Sequence, residues 1–443
     1  MKKTSCIFTL LLFTILLTAG CSKGKDPGVS LPGPIPVGPA QTMDSAEFEP
    51  AGMCQYCHLE IYEQWQGSMH ALAFTNPVYQ AEAQKTSRET DGAADAFCAS
   101  CHAPIGFLAQ EIPPADGSKL SEVARRGISC DFCHTITEVS ADGNASYRVS
   151  PGIVKYGPFN DPLHTPLHDS EYSSIYNEAE FCATCHEVTN PQTGLVLGAT
   201  YSEWKTSGFA PKRATCQDCH MTPGPGVTKP NPGYAATGVP KKREHTWTHS
   251  MVGGNVFNLE QAGFDGHALQ AKENLQAAAT LFLGLPQTLS PYQGANINVR
   301  VRNSGAGHSL PTGLTMFKEM WLEVVVTDEK GNVLYQNGVL DQNGAVPDGS
   351  VVYKTTVADA SGKETTNLWE AASVIYDRRI PPQKYVDEFF EIPGAPLPGK
   401  ITVQARLLYR SVSQEKANQV LGNGMAGVTV VEMAKLSGEI SVR

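Results

Sequence analysis

The pattern Cys-x-x-Cys-His occurs five times in this chain and takes up ten of its twelve cysteines. The copies are Cys54-Cys57-His58, Cys98-Cys101-His102, Cys130-Cys133-His134, Cys182-Cys185-His186 and Cys216-Cys219-His220. This spacing is the attachment signature of c-type haem. Two thiols add to the porphyrin vinyl groups, and the adjacent imidazole then ligates the iron. Zinc sites and Cys-x-x-Cys redox pairs share the cysteine spacing, but they need no histidine in the next position. With 12 histidines in 443 residues, five such histidines are not a coincidence. The sequence thus implies five covalently attached haem c groups, with His58, His102, His134, His186 and His220 as proximal iron ligands.

All five motifs fall between Cys54 and His220, where apolar runs are short and separated by Pro and Gly. Such a segment buries little of its own surface, so the porphyrins are expected to supply the missing core and the apo-protein to be largely unfolded. Short helices are expected to carry the motifs, most clearly at 59–73, and 221–240 reads as a long loop. From about residue 256 the texture changes. Residues 268–280 form a helix with apolar positions at helical spacing. After Pro286 the pattern alternates with period two at 296–301. Residues 321–326 and 333–335 form a hairpin across the turn 328–332, and 401–407 and 428–431 are further strands. Regularly spaced strands and turns without cysteine suggest an immunoglobulin-like sandwich. The expected fold is mixed and multidomain. A mainly α and loop pentahaem domain at 51–255 leads through a connecting helix at 256–285 to an all-β immunoglobulin-like sandwich at 286–443.

The N-terminus reads as a targeting segment. Lys2 and Lys3 precede an apolar run at 7–17 that is too short to span a bilayer. Leu17-Thr18-Ala19-Gly20-Cys21 then resembles a bacterial lipobox. Residues 1–20 are therefore expected to be a lipoprotein signal peptide. Cys21 is the lipidated residue, and 21–50 is a Pro/Gly-rich tether. Each buried acyl CH₂ contributes about 0.8 kcal/mol, so a multiply acylated cysteine anchors firmly. The chain is expected to be exported, as an outer-membrane lipoprotein facing the periplasm or the cell surface. Its formal charge of −10, with no basic patch interleaved with aromatics, argues against nucleic acid as a partner. The same charge suits a basic redox partner protein.

Seven histidines lie outside the motifs: His70, His164, His168, His245, His249, His267 and His308. Five of them could close every iron with a second imidazole, the state suited to electron transfer; fewer would leave one iron open to a small molecule. His70 lies twelve residues past His58, out of reach of the same iron, and is assigned to a neighbouring haem. In DPLHTPLHDS the intervening Pro166 separates His164 from His168, and His168 is favoured. His249 precedes a Gly-Gly turn that lets backbone approach a haem, which favours it over His245. His267 doubles as a polar residue at a helix start. His308, in GAGHSLPTG, sits on a turn fixed by glycines and Pro311. If it ligates a haem of the first domain, an iron–nitrogen bond ties the two domains together.

The stretches CQYCHLEIYEQWQGSMH, RRGISCDFCHTI, FCATCHEVTNPQTG followed by TYSEWKTSGFA, and CQDCHM resemble a family of multihaem cytochromes. That family is related to hydroxylamine oxidoreductase and to the tetrahaem cytochrome that accepts its electrons. The resemblance covers about residues 50–255. GHSLPTG, DRRIPP and LLYR look like parts of the C-terminal domain of lipid-anchored or extracellular bacterial multihaem cytochromes. The resemblance implies stacked and T-shaped haem pairs, and it favours His70, His168, His249 and His308 as distal ligands. The oxidoreductase has more haems and a crosslinked tyrosine, so its enzymatic role does not carry over. The implied function is electron transfer in a periplasmic or outer-membrane chain. One alternative is an oxidoreductase with one open iron acting on a small nitrogen or sulfur species. Another is a subunit of a cytochrome polymer, homo-oligomer or partner complex built through the β domain.

Overall fold

A computed structural model describes residues 38–39, 41–422 and 427–443. The expected signal peptide, Cys21 and most of the tether lie outside these residues. Each haem motif sits at a helix end. Asp95–His102, Cys130–His134, Glu180–His186 and Gln217–His220 all terminate on their motif histidine, and Leu59–Gln66 starts directly after His58. Helices this short are not stable in isolation, so their conformation depends on what packs against them. The helix expected at 59–73 ends at Gln66, and Gly67 follows. A Cβ on Gly67 would stand 2.5 Å from the His267 ring, so only glycine allows this approach. Residues 68–73 continue as turns.

The motif region also holds three two-stranded sheets not expected from its composition. Ile136–Val139 pairs with Tyr147–Val149, Val154–Gly157 with Asp169–Tyr172, and Glu187–Thr189 with Val196–Ala199. Strands of three or four residues leave too little alternation to read from sequence. The apolar residues here gather around Ile105, Leu108, Ala124 and Phe132.

The C-terminal region is β-rich. Glu319–Asp328 and Gly399–Arg410 pair antiparallel along ten residues each, from Glu319 opposite Arg410 to Asp328 opposite Ile401. Val333–Asn337 closes the expected hairpin on one side. Val431–Val442 extends the sheet on the other, flanked by the short parallel strand Thr288–Leu289. A second sheet has the order Tyr385–Ile392, Ala295–Asn303, Ala279–Gly284. Alternation directs Ile297, Val299 and Val301 from this sheet, and Leu322, Val324, Val403 and Leu407 from the first, into one core. A smaller sheet, Thr355–Ala358 between Glu364–Thr365 and Ser373–Asp377, lies apart.

Two boundaries differ from the sequence reading. The helix expected at 268–280 runs Asp265–Ala278, and residues 279–284 already form a strand. The segment Ala279–Gly284 finds six antiparallel partners in the strand Ala295–Asn303, and this pairing overrides helix propensity. Residues 428–430 are not strand. Val428 instead packs with Phe257, Val412 and Ala417, and the strand begins at Val431. The described residues belong to one compact unit, and none of their helices is long and apolar enough to cross a membrane.

Candidate haem centres

A histidine binds metal through one ring nitrogen while the other is held by a hydrogen bond that fixes the tautomer. Several motif and distal candidates do this with a backbone carbonyl. The Nδ1–H of His58 donates to Ala235 O (2.7 Å), that of His134 to Tyr156 O (2.7 Å), that of His249 to Trp247 O (3.1 Å) and that of His308 to Ser309 O (3.0 Å). His102 Nδ1–H donates to Ala73 O at 3.0 Å, and His168 Nδ1 lies 3.2 Å from Asp169 O. In each case Nε2 is left with its lone pair free.

The rings then meet in pairs drawn from distant parts of the chain. His58 faces His168 with centroids 6.3 Å apart, His70 faces His186 at 6.2 Å, His134 faces His249 at 6.4 Å and His220 faces His308 at 6.1 Å. These separations are too long for a stacking contact. They match two imidazoles on opposite sides of one metal: a metal–nitrogen bond of about 2 Å on each side, and a nitrogen about 1.1 Å from each ring centre, give about 6.2 Å. Burial keeps the imidazoles neutral and therefore able to ligate. It pushes His70 down to about 3, helped by His186, and His186, His220 and His249 each to about 4.

The fifth motif histidine, His102, has no histidine opposite it. Its nearest aromatic neighbour is Tyr79, stacked on its face at 4.0 Å and 8°. The three remaining histidines are occupied elsewhere. His267 uses Nε2 on Gln64 O (2.8 Å), the reverse of the ligating arrangement. His245 Nδ1 accepts from the Asn231 N–H (2.9 Å), which puts its proton on Nε2. His164 is exposed, 3.8 Å from Asp169.

The motif histidines of the first four motifs, with all eight of their cysteines, line one cavity of about 1420 Å³. A continuous void of this size, walled by eight thiols that are not disulfide-bonded and by paired imidazoles, fits covalently held porphyrins. Among the described residues no three His, Cys, Asp or Glu gather as a metal cage, so the zinc alternative has no site. Thiols of different motifs touch: Cys54 with Cys130, Cys101 with Cys185, and Cys182 with Cys216. Cys133 is close enough to Cys185 for its thiol to be raised by that charge, after burial.

Several residues at these centres were not singled out from sequence. Tyr176 donates to Cys133 O (2.7 Å) and lies flat against His134. Glu203 holds the loop that carries His308. It accepts from the Ser309 N–H (3.0 Å) and Thr312 Oγ1 (2.7 Å) and pairs with Arg379. Lys318 lines the cavity. The one available signal for Lys318 was a lone cation inside the apolar run Met316-Phe317-Lys318-Glu319-Met320-Trp321.

Residues 53–135 match the family described as cytochrome c554 and c-prime. A solved penta-haem cytochrome c552 from Thermochromatium tepidum is similar in fold. It is 20% identical with a TM-score of 0.64, and the match covers 89% of this chain and 99% of that one. The CARDB domain of the PF1109 protein from Pyrococcus furiosus matches 37% of this chain and 87% of its own, at 13% identity and a TM-score of 0.18. No curated protein matches the sequence. The matched segment and the shared fold are those of multihaem c-type cytochromes, and both agree with the five Cys-x-x-Cys-His motifs. The N-terminal part of the chain is cytochrome-like, and its C-terminal part is β-rich.

Proposed function

We propose that this chain is an electron-transfer cytochrome carrying five haem c groups, four of them held between paired histidines. The observation that carries this reading is the set of four cross-chain histidine pairs, all with centroids 6.1 to 6.4 Å apart. Bound haem would supply the one-electron iron couple. The chain's own contribution is to close four irons to outside ligands with paired imidazoles, which favours low potentials relative to His–Met ligation. It also keeps the centres in series. Thiol contacts link the first motif to the third and the fourth to the fifth, and Cys133 approaches Cys185 between the third and fourth. The second motif branches off the fourth through Cys101 and Cys185. His308 draws the β-rich region, read as an immunoglobulin-like sandwich, into the centre at His220. We place the protein outside the cytoplasm, anchored through Cys21 to the outer membrane and serving a basic redox partner. Mass spectrometry and spectroelectrochemistry of the purified protein test this reading. Five haem mass increments and reversible one-electron reduction support it; fewer increments overturn it.

A second reading rests on one observation: His102 has no histidine opposite. The haem at Cys98 and Cys101 would then keep an open iron position, on the side branch of the series, where a small nitrogen or sulfur species could bind. Addition of nitric oxide, hydroxylamine or sulfite should perturb one haem of five. If all five spectra stay unchanged, the centre is closed.

A further inference from the structure

We propose that Lys318, from the β-rich region, binds a propionate of the haem held at Cys182, Cys185 and His186. This rests on the haem reading above.

Lys318 follows the loop that carries His308. Its Nζ–H donates to Thr312 O at 2.7 Å. No carboxylate lies within ion-pair distance of it among the described residues, although six other lysines do have such partners. The carboxylate that raises its basicity, Glu203, is already taken by Arg379, the Ser309 N–H and Thr312 Oγ1. The remaining ammonium protons have no partner among the described residues.

Lys318 is half-buried and lines the cavity that His186 also lines. Burial pushes its pKa down to about 8, so it stays mostly charged at neutral pH. His186 and His308 both feel that charge. Room for the amine is built into the backbone: a Cβ on Gly313 would stand 3.3 Å from Nζ, and Gly313 has φ +74°. An enclosed cation is costly unless it is paired. The anionic groups that a haem brings to this cavity are its two propionate carboxylates. Of the centres near Lys318, the one at His186 shares the cavity, whereas His220 and His308 lie outside its lining. Lys318 therefore supplies a charge-assisted contact from one region to a cofactor covalently held by the other.

The test compares holo-protein carrying Lys318→Gln, which keeps a donor for Thr312 O, with Lys318→Arg, which keeps the charge. Mass spectrometry first counts the haems of the wild type; absence of covalent haem would sink the haem reading itself rather than this assignment. Redox titration should then show one haem potential shifted downward in Lys318→Gln, because loss of a nearby positive charge disfavours added electrons. The other four should be unchanged, and Lys318→Arg should match the wild type. Five unchanged potentials in Lys318→Gln, or equal shifts in both variants, overturn the assignment. A new high-spin iron signal in Lys318→Gln also overturns it, because the lysine would then act through the geometry of an iron ligand.

Discussion

His308 faces His220 with ring centroids 6.1 Å apart and planes 13° from parallel. One histidine ends a motif helix, and the other sits in a glycine-rich loop of the β-rich region. His308 is half-buried and directs its Nδ1–H to Ser309 O, so that Nε2 points away from its own loop. A metal between them would cross-link two parts of the chain that otherwise meet through side-chain contacts.

Replacing His308 with Ala should turn one of the four bis-histidine haems high-spin and leave the other three low-spin. It should also lower the stability of the β-rich region, because a metal–ligand bond is lost along with the burial. Electron paramagnetic resonance reads the first effect and limited proteolysis the second. An unchanged spectrum would exclude His308 as an iron ligand.

Glu203 clamps the same loop from the helix Thr200–Lys205. Its side chain is 10% exposed and that of its partner Arg379 16%. Replacing Glu203 with Ala leaves Arg379 paired with Asp377 alone and frees Ser309 N and Thr312 Oγ1. The expected loss is about 1 to 3 kcal/mol, the range for leaving enclosed donors without their acceptor. Urea titration of the holo-protein measures it, and the His220 centre should be the first to change its spectrum.

Acid should destabilise the fold in a defined window. The native imidazoles of His70, His186, His220 and His249 take up protons only near pH 3 to 4, whereas unfolded histidines do so near 6.5. Between these values the unfolded chain binds more protons, so stability falls as pH falls from 6.5 towards 4. Each of the four adds to that slope in the same direction. Bound iron competes with those protons for Nε2, which carries the same sign over to the holo-protein. Denaturant midpoints at pH 7 and pH 5 should differ accordingly; equal midpoints would contradict the neutral-imidazole account.

Much of this was legible in the chain because c-type attachment is local. Cys98, Cys101 and His102 fall within five residues, so spacing alone identifies their chemistry. His70, His168, His249 and His308 could be singled out by context, and the structure sets each opposite a motif histidine. Which stands opposite which was not legible. His70 lies close in sequence to His58 yet meets His186, a contact that depends on how the whole region folds. The weaker candidates His245 and His267 could not be graded from sequence, because the decisive fact is which ring nitrogen a distant Asn231 or Gln64 occupies. In the β-rich region, alternation marked the central strands. It missed Ala279–Gly284, whose strand character comes from its partner rather than from its own alanine-rich start.

The central claim is that four irons are closed by histidine pairs and the iron above His102 is not. Low-temperature electron paramagnetic resonance, with near-infrared magnetic circular dichroism, of the oxidised holo-protein tests it most directly. The account predicts four low-spin centres with bis-imidazole signatures and one distinct centre, lost when His102 is replaced by Ala. Five identical bis-imidazole centres, or fewer than four, would contradict it.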